Sequence, residues 1–346
     1  LVLYPAELRA PARAIRPHDD RPSVRLVYRQ ARRLAIAPQH LPQRSVFTRF
    51  EVQEQTAFAM DSFRSNGVEI AFADYRPTGP DKQAPILLIH GFASTHAVNW
   101  MFTQWVKTLT EDGRRVIALD NRGAGRSDKP FGHYSLDQMA DDAIAVLDHL
   151  GIDRAHVVGA SMGGAISQII GLQHPDRVLS LTLACTACRN HPWRRELLAG
   201  WATAATERGV GAMAAEAARW VIGPRSFRRL LPAFGWLGPL AMGRTAHAFV
   251  SQVRAILEVD ESVADRLSEV TAPTLVLVGN QDILTPRGDS EEIADRLPNS
   301  ELVVISGAAH GFMVEHASTF NSVLLEFLDR VERMRRTGVQ PVANAS

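Results

Sequence analysis

Residues 155–165 read AHVVGASMGGA: an apolar run, the turn Gly159-Ala160-Ser161-Met162-Gly163, and the start of a stretch with helical spacing. A serine on a strand-to-helix turn needs small neighbours, because the strained backbone leaves no room for a side chain at either glycine. Such a turn lifts the Ser161 hydroxyl above a sheet and sets it at a helix N-terminus, where backbone N–H groups and the helix dipole favour negative charge. The five-residue pattern alone is a weak signal. Between a buried strand and a helix it is a specific one.

The segments on either side repeat the same strand-then-helix unit. Apolar, β-branched runs occupy Val68–Tyr75, Pro85–His90, Arg115–Asp120, Ala155–Ala160, Val178–Ala184, Thr274–Gly279 and Glu301–Ile305. Several are apolar on both faces, as strands buried in a parallel sheet must be. Helical spacing marks Asn99–Leu109, Leu136–Leu150, Met162–His174, Ser290–Leu297 and Thr319–Arg335. The fold class is α/β: a mostly parallel eight-stranded sheet with helices on both faces. Its opening pair, joined by a turn at Asn66-Gly67, is expected to be antiparallel.

Between the strands ending near Ala184 and beginning near Thr274 no strand is evident. Residues 188–270 read as a helical cap inserted over the carboxyl edge of the sheet, where α/β proteins bind ligands. The core is then residues 60–187 and 271–338, with a tail at 339–346. Trp193, Trp201, Trp220, Phe227 and Phe249 are the candidates for an apolar pocket wall. Residues 1–59 look foreign to the rest: they hold ten arginines, five acids and no Gly, Lys or Met, and the first methionine is Met60. They read as an extension, either a mobile Pro/Arg tail or the product of a mis-assigned start.

A serine hydroxyl is a poor nucleophile at neutral pH; it needs a base, and the base needs an orienting acid. In this topology both belong in loops at strand carboxyl ends beyond the insertion. Asp282 follows Thr274–Gly279 and His310 follows Glu301–Ile305, in the chain order Ser, Asp, His. His90 reads as a loop-shaping residue and His316 as a surface or capping one; Asp289 and Asp295 are expected to be solvated. The oxyanion formed when Ser161 attacks a carbonyl needs two donors. The amides of Met162 and Phe92 are the candidates, the second in the loop after Pro85–His90.

The motifs LLIHGF (87–92), DNRGAGRSDKP (120–130), GASMGGA (159–165), GNQD (279–282) and GAAHGF (307–312) resemble those of the α/β-hydrolase superfamily, and specifically its capped esterase, enol-lactonase and C–C-bond hydrolase members. The resemblance spans about Met60 to Arg335. It implies the triad Ser161–Asp282–His310 and an oxyanion hole at Phe92 and Met162. It also implies a serine hydrolase that cleaves a carboxylic ester or lactone through an acyl-enzyme, with no metal or organic cofactor. A C–C bond hydrolase or a cofactor-free perhydrolase or haloperoxidase would use the same triad, and a ligand receptor could retain vestigial hydrolysis. Phe92-Ala93-Ser94 after the His-Gly pair departs from the Gly-Pro-Gly loop usual in meta-cleavage C–C hydrolases.

Composition bounds the rest. The chain has 346 residues, 38 Lys+Arg and 37 Asp+Glu, so its formal charge of +1 asks for no nucleic-acid partner. No apolar stretch is long enough to cross a bilayer. Two cysteines, Cys185 and Cys188, suit a reducing compartment, and cytoplasm is the expected location. The partner is a small molecule with an apolar acyl or lactone group; oligomeric state is not encoded. Cys185, Cys188 and His191 lack a fourth metal ligand and read as inert. Arg122-Gly123-Ala124-Gly125 reads as a structural loop, since a dinucleotide site would need a third glycine opening a helix. Arg189, Arg194 and Arg195 read as a solvated helix face ahead of a carboxylate-binding cluster.

Overall fold

A computed structural model describes residues 60–77, 79, 83–101, 103–224, 245–259 and 262–338. Its strands are β1 (Asp61–Ser65), β2 (Val68–Tyr75), β3 (Ile86–Ile89), β4 (Val116–Leu119), β5 (Ala155–Ala160), β6 (Val178–Ala184), β7 (Thr274–Gly279) and β8 (Ser300–Ile305). They form one eight-stranded sheet in the order β1-β2-β4-β3-β5-β6-β7-β8. Asn66 and Gly67 both take positive φ, 46° and 83°, which closes the β1–β2 hairpin with the twist a two-residue turn requires. β2 also runs antiparallel to β4, and from β4 to β8 every pair is parallel.

Strands β3 to β7 are buried along their whole length because helices cover both faces. Side chains alternate between the two layers. Leu87, Ile89, Ile117, Leu119 and Val157 face a core shared with α2 (Leu136–His149) and α3 (Met162–Gln173). Ile86, Leu88, Val116, Ala118 and Val158 face the other, with α1 (Trp105–Glu111) and the last long helix. Ser135 starts α2 with a capping box: its hydroxyl accepts from the Gln138 N–H, and the Gln138 side chain accepts from the Ser135 N–H.

Between β6 and β7 the chain makes α4 (Pro192–Arg208), α5 (Ala214–Val221), α6 (Ala246–Leu257) and α7 (Ser262–Arg266). A separate apolar cluster joins α4, α5 and α6 to Leu284 of the loop after β7, with Phe92 of the loop after β3 packed against it. The chain ends with α8 (Arg287–Arg296), the short α9 (Phe312–Glu315) and α10 (Ala317–Thr337). The extension 1–59, the tail 339–346 and Phe227 lie outside the described residues.

One expected helix is two. The span Asn99–Leu109 divides into a π-helical turn, Ala97–Met101, and α1, broken at Gln104 in the left-handed region (φ 62°). Trp100 and Trp105, five apart, would stand roughly 140° apart on a continuous α-helix. The wide turn and the Gln104 reversal bring both indoles into one core with ring centroids 5.0 Å apart, and both are fully buried. Among the described residues no helix is long and apolar enough to cross a membrane.

Candidate active site

Parallel strands put their carboxyl ends on one edge, and three of those ends converge. Ser161 leaves β5 with φ 54° and ψ −117°, a conformation that costs a non-glycine residue energy and therefore has to be held by its surroundings. Its N–H donates to Ala184 O at 2.8 Å, and its carbonyl accepts from the Thr186 hydroxyl at 2.8 Å. The two flanking glycines leave no alternative residue. A Cβ on Gly159 would sit 2.1 Å from the Gly163 carbonyl oxygen, and one on Gly163 would sit 2.1 Å from Ile89 O.

His310, after β8, and Asp282, after β7, complete a relay. The Asp282 carboxylate accepts Nδ1–H of His310 at 2.8 Å, which leaves Nε2 as the acceptor for the Ser161 hydroxyl at 3.0 Å. Asp282 is held on every side. Oδ1 accepts from the N–H groups of Leu284 and Thr285, each at 2.9 Å, and Oδ2 also accepts from the Thr285 hydroxyl at 2.9 Å. That hydroxyl oxygen lies 3.1 Å from His310 Nδ1, so it shares the ring proton with the carboxylate.

The family model described as the alpha/beta hydrolase fold matches residues 84–317. The chain belongs to the α/β-hydrolase family. A Caulobacter segnis protein provisionally named carbamate hydrolase RutD is 31% identical over 258 residues, 70% of this chain and 91% of its own. The 3-oxoadipate enol-lactonase 2 of Acinetobacter baylyi is 30% identical over 252 residues, 69% of this chain and 88% of its own. Among solved structures, a malate-bound thermophilic esterase from Thermogutta terrifontis matches with a TM-score of 0.69 at 28% identity, over 79% of this chain and 99% of that one.

In this hydrolase Ser161 opens onto a cavity of about 70 Å³, several times the space a single water needs. Phe92 and Met162 line it beside the serine, and Gly91 is close enough to the Ser161 turn that a Cβ there would lie 3.2 Å from Ala160 O. Of the aromatic candidates, Trp201 lines the cavity. Phe249 stands behind the wall, packed on Phe92 with centroids 4.7 Å apart. Trp193 and Trp220 stack on each other at 6.3 Å, away from the cavity lining. Helical geometry explains the split. Arg194, Leu198 and Trp201 follow i, i+4, i+7 spacing and present one face of α4 to the cavity, whereas Trp193 is a 100° step off it.

Two expectations are corrected. Arg194 is 3% exposed and Asp289 4%, so neither is solvated. Arg194 donates to Asp289 Oδ2, to Leu284 O at 2.9 Å and to Arg189 O at 2.9 Å. It pins α4 to the loop that carries Asp282, and its charge is matched by a carboxylate placed by α8. Burial pushes the Asp289 carboxyl up against the pull of Arg194. A charged pair separated by 95 positions carries no local sequence signal. Thr285, also missed, stands only three residues after the acid it bonds, so the signal that could have found it was local.

His90 and His96 have structural settings. His90 is fully buried; its Nδ1–H donates to Gly91 O at 2.7 Å and its Nε2 accepts from the Asn121 N–H at 3.0 Å, so burial keeps it neutral and it shapes the loop. In the loop after β4, burial raises Asp120, but hydrogen bonds from His96 and the Arg126 N–H, with the nearby rings, hold its carboxyl down to about 2. Arg122 forms a two-pronged pair with Asp142 at 2.7 and 2.8 Å, consistent with a structural loop. Cys185 and Cys188 are unbridged and buried. Cys188 lies on the cavity wall, where burial pushes its thiol up to about 11.

Proposed function

We propose that the protein is a serine hydrolase that cleaves a carboxylic ester or lactone through an acyl-enzyme. The observation that carries this reading is the continuous Ser161–His310–Asp282 hydrogen-bonded relay, whose serine lines a mainly apolar cavity. His310 Nε2 accepts the Ser161 proton as the oxygen attacks the carbonyl carbon. The carbonyl oxygen becomes an oxyanion, held by the Phe92 and Met162 N–H groups, the second reinforced by the α3 N-terminus. Collapse of this intermediate expels the alcohol, or opens the lactone ring, with the proton from His310. Water deprotonated by the same imidazole then attacks the acyl-enzyme, releasing the acid and restoring Ser161. Asp282 fixes the tautomer in which Nε2 is the base and stabilises the imidazolium formed in each half-reaction. Residues 188–270 act as a cap whose helix α4 closes the cavity above the serine.

Support comes from the relay, the cavity and the lactonase and esterase relatives. The Caulobacter relative favours a second substrate for the same machinery, a carbamate, whose carbonyl carbon would be attacked in the same way. The test is hydrolysis of nitrophenyl acetate through longer acyl esters, with a carbamate ester alongside, by the full chain and a folded Ser161→Ala variant. Robust ester turnover, lost on the order of 10⁴-fold in the variant, supports the reading. Equal rates in both proteins would end it, and carbamate turnover alone would move the substrate to the second class.

A further inference from the structure

The cavity lies to one side of the serine. Met162, Ala165 and Gln168, spaced three apart on α3, line it together with the loop after β6, residues 186–190. Helix α4, Ile256 of α6, Val259 and Val263 of α7 complete the lining. His310 reaches Ser161 from the loop after β8 and, among the described residues, is not part of that wall.

This placement sorts the groups of the reacting centre. The tetrahedral carbon formed at Ser161 carries four substituents, of which Oγ is one. The oxyanion turns to the Phe92 and Met162 N–H groups, and the leaving oxygen must stand beside His310 Nε2 to receive its proton. Only the acyl substituent is left to enter a cavity that His310 does not line. The wall has no spare charge for it, since Arg194 is paired with Asp289 and Arg189 with Glu292. Ala165, Ile256, Val259 and Val263 are only partly buried, so apolar surface remains for a chain to cover.

We propose that the cavity receives the acyl half of the substrate and selects uncharged acyl groups of about five to seven carbons, with Ala165 as the gauge of length and the alcohol half left unread. The inference rests on the ester-hydrolase reading and names its substrate class. The size follows from the volume: about 70 Å³ is space for roughly five to seven water-sized groups, and a methylene is no larger than a water. Ala165 is the gauge because it stands about 6 Å along α3 from Ser161, and helical side chains lean back towards the N-terminus.

Two ester series read the two halves. Nitrophenyl esters from acetate to dodecanoate vary the acyl group; hexanoates of methanol to hexanol, followed by acid release, vary the alcohol. In the first, kcat/KM should climb by up to about fourfold per methylene, peak at five to seven carbons and fall beyond. In the second it should stay within about threefold. The mono-nitrophenyl ester of adipic acid, hexanoate with a terminal carboxylate, should be at least about tenfold poorer than hexanoate. Ala165→Leu should move the peak to four carbons or fewer, and Val263→Ala should move it upward. A flat acyl profile, a steeper alcohol profile, an adipate ester as good as hexanoate, or a peak that neither variant moves overturns the proposal. If Ala165→Leu does not fold, the wild-type series and Val263→Ala decide. Failure here stays distinct from failure of the parent reading. Turnover lost in Ser161→Ala but indifferent to the acyl group removes acyl selection alone; no turnover of any ester above that of Ser161→Ala removes both.

Discussion

Ser161 keeps its hydroxyl in the cavity only because the chain around it cannot relax. A methyl group at Gly163 would press on the backbone of β3, and backbone cannot move aside as a flexible side chain can. Gly163→Ala should therefore cost about 3 kcal/mol or more of stability and abolish turnover, read from chemical denaturation and an ester assay. Gly288→Ala is the matched control, since nothing lies within 4 Å of a Cβ there and α8 gains from a residue less flexible than glycine. Thr285 makes a subtler case. Its hydroxyl donates to the same Asp282 oxygen that accepts the hydrogen bond from His310 Nδ1–H. Thr285→Val should lower kcat about tenfold with KM little changed, and Thr285→Ser should restore most of it. A purely steric role would be rescued by valine and not by serine.

At the scale of elements, the contact between α4 and the loop after β7 is electrostatic as well as apolar. Arg194→Met removes the partner of a buried carboxylate, and loss of one member of such a pair costs about 3–5 kcal/mol. Adding Asp289→Leu should recover most of that loss, because the charge left behind is the source of the cost; urea unfolding of the single and double variants measures it. The same contact marks what the sequence could and could not reveal. Ser161, Asp282 and His310 are legible because each follows an apolar strand, and strand order dictates which edge those loops share. β2, β5, β6 and β7 have the boundaries their apolar runs announce. The break at Gln104, the burial of Arg194 and Asp289, and the stacking of Trp193 on Trp220 depend on which neighbour each side chain meets. Periodicity does not record that. It reports that a helix has an apolar face, and here it could not tell the Trp201 face from the Trp193 face.

For the molecule as a whole, buried titratable groups make acid the weak side. Burial holds His90 and His156 below the ordinary imidazole range, so unfolded chains take up protons that folded ones refuse. Stability should therefore fall as pH drops below about 6.5. Asp120 has the opposite chemistry and the same consequence. Its carboxyl is held down to about 2 when folded, against an ordinary value of 3.8, so its contribution is complete above the unfolded value and disappears as pH falls towards 2. Urea midpoints measured from pH 8 to pH 3 should be level at first, decline below about 6.5 and steepen below about 5. His156→Gln, which removes one of the two imidazoles, should flatten the first decline. A midpoint that rises on acidification would contradict the assignment of neutral, buried histidines.

The Ser161–His310 hydrogen bond joins residues 149 positions apart. At synthesis rates of 5–20 residues per second, the Ser161 turn leaves the ribosome roughly 7–30 s before His310. During that interval β5 and its glycines can already be packed while the serine beside them stays chemically idle. The last strand to emerge is also the sheet's outer one, β8, and the loop that follows it delivers the imidazole. The pairing is thus timed by translation: Ser161 gains its imidazole partner only after β8 has been made.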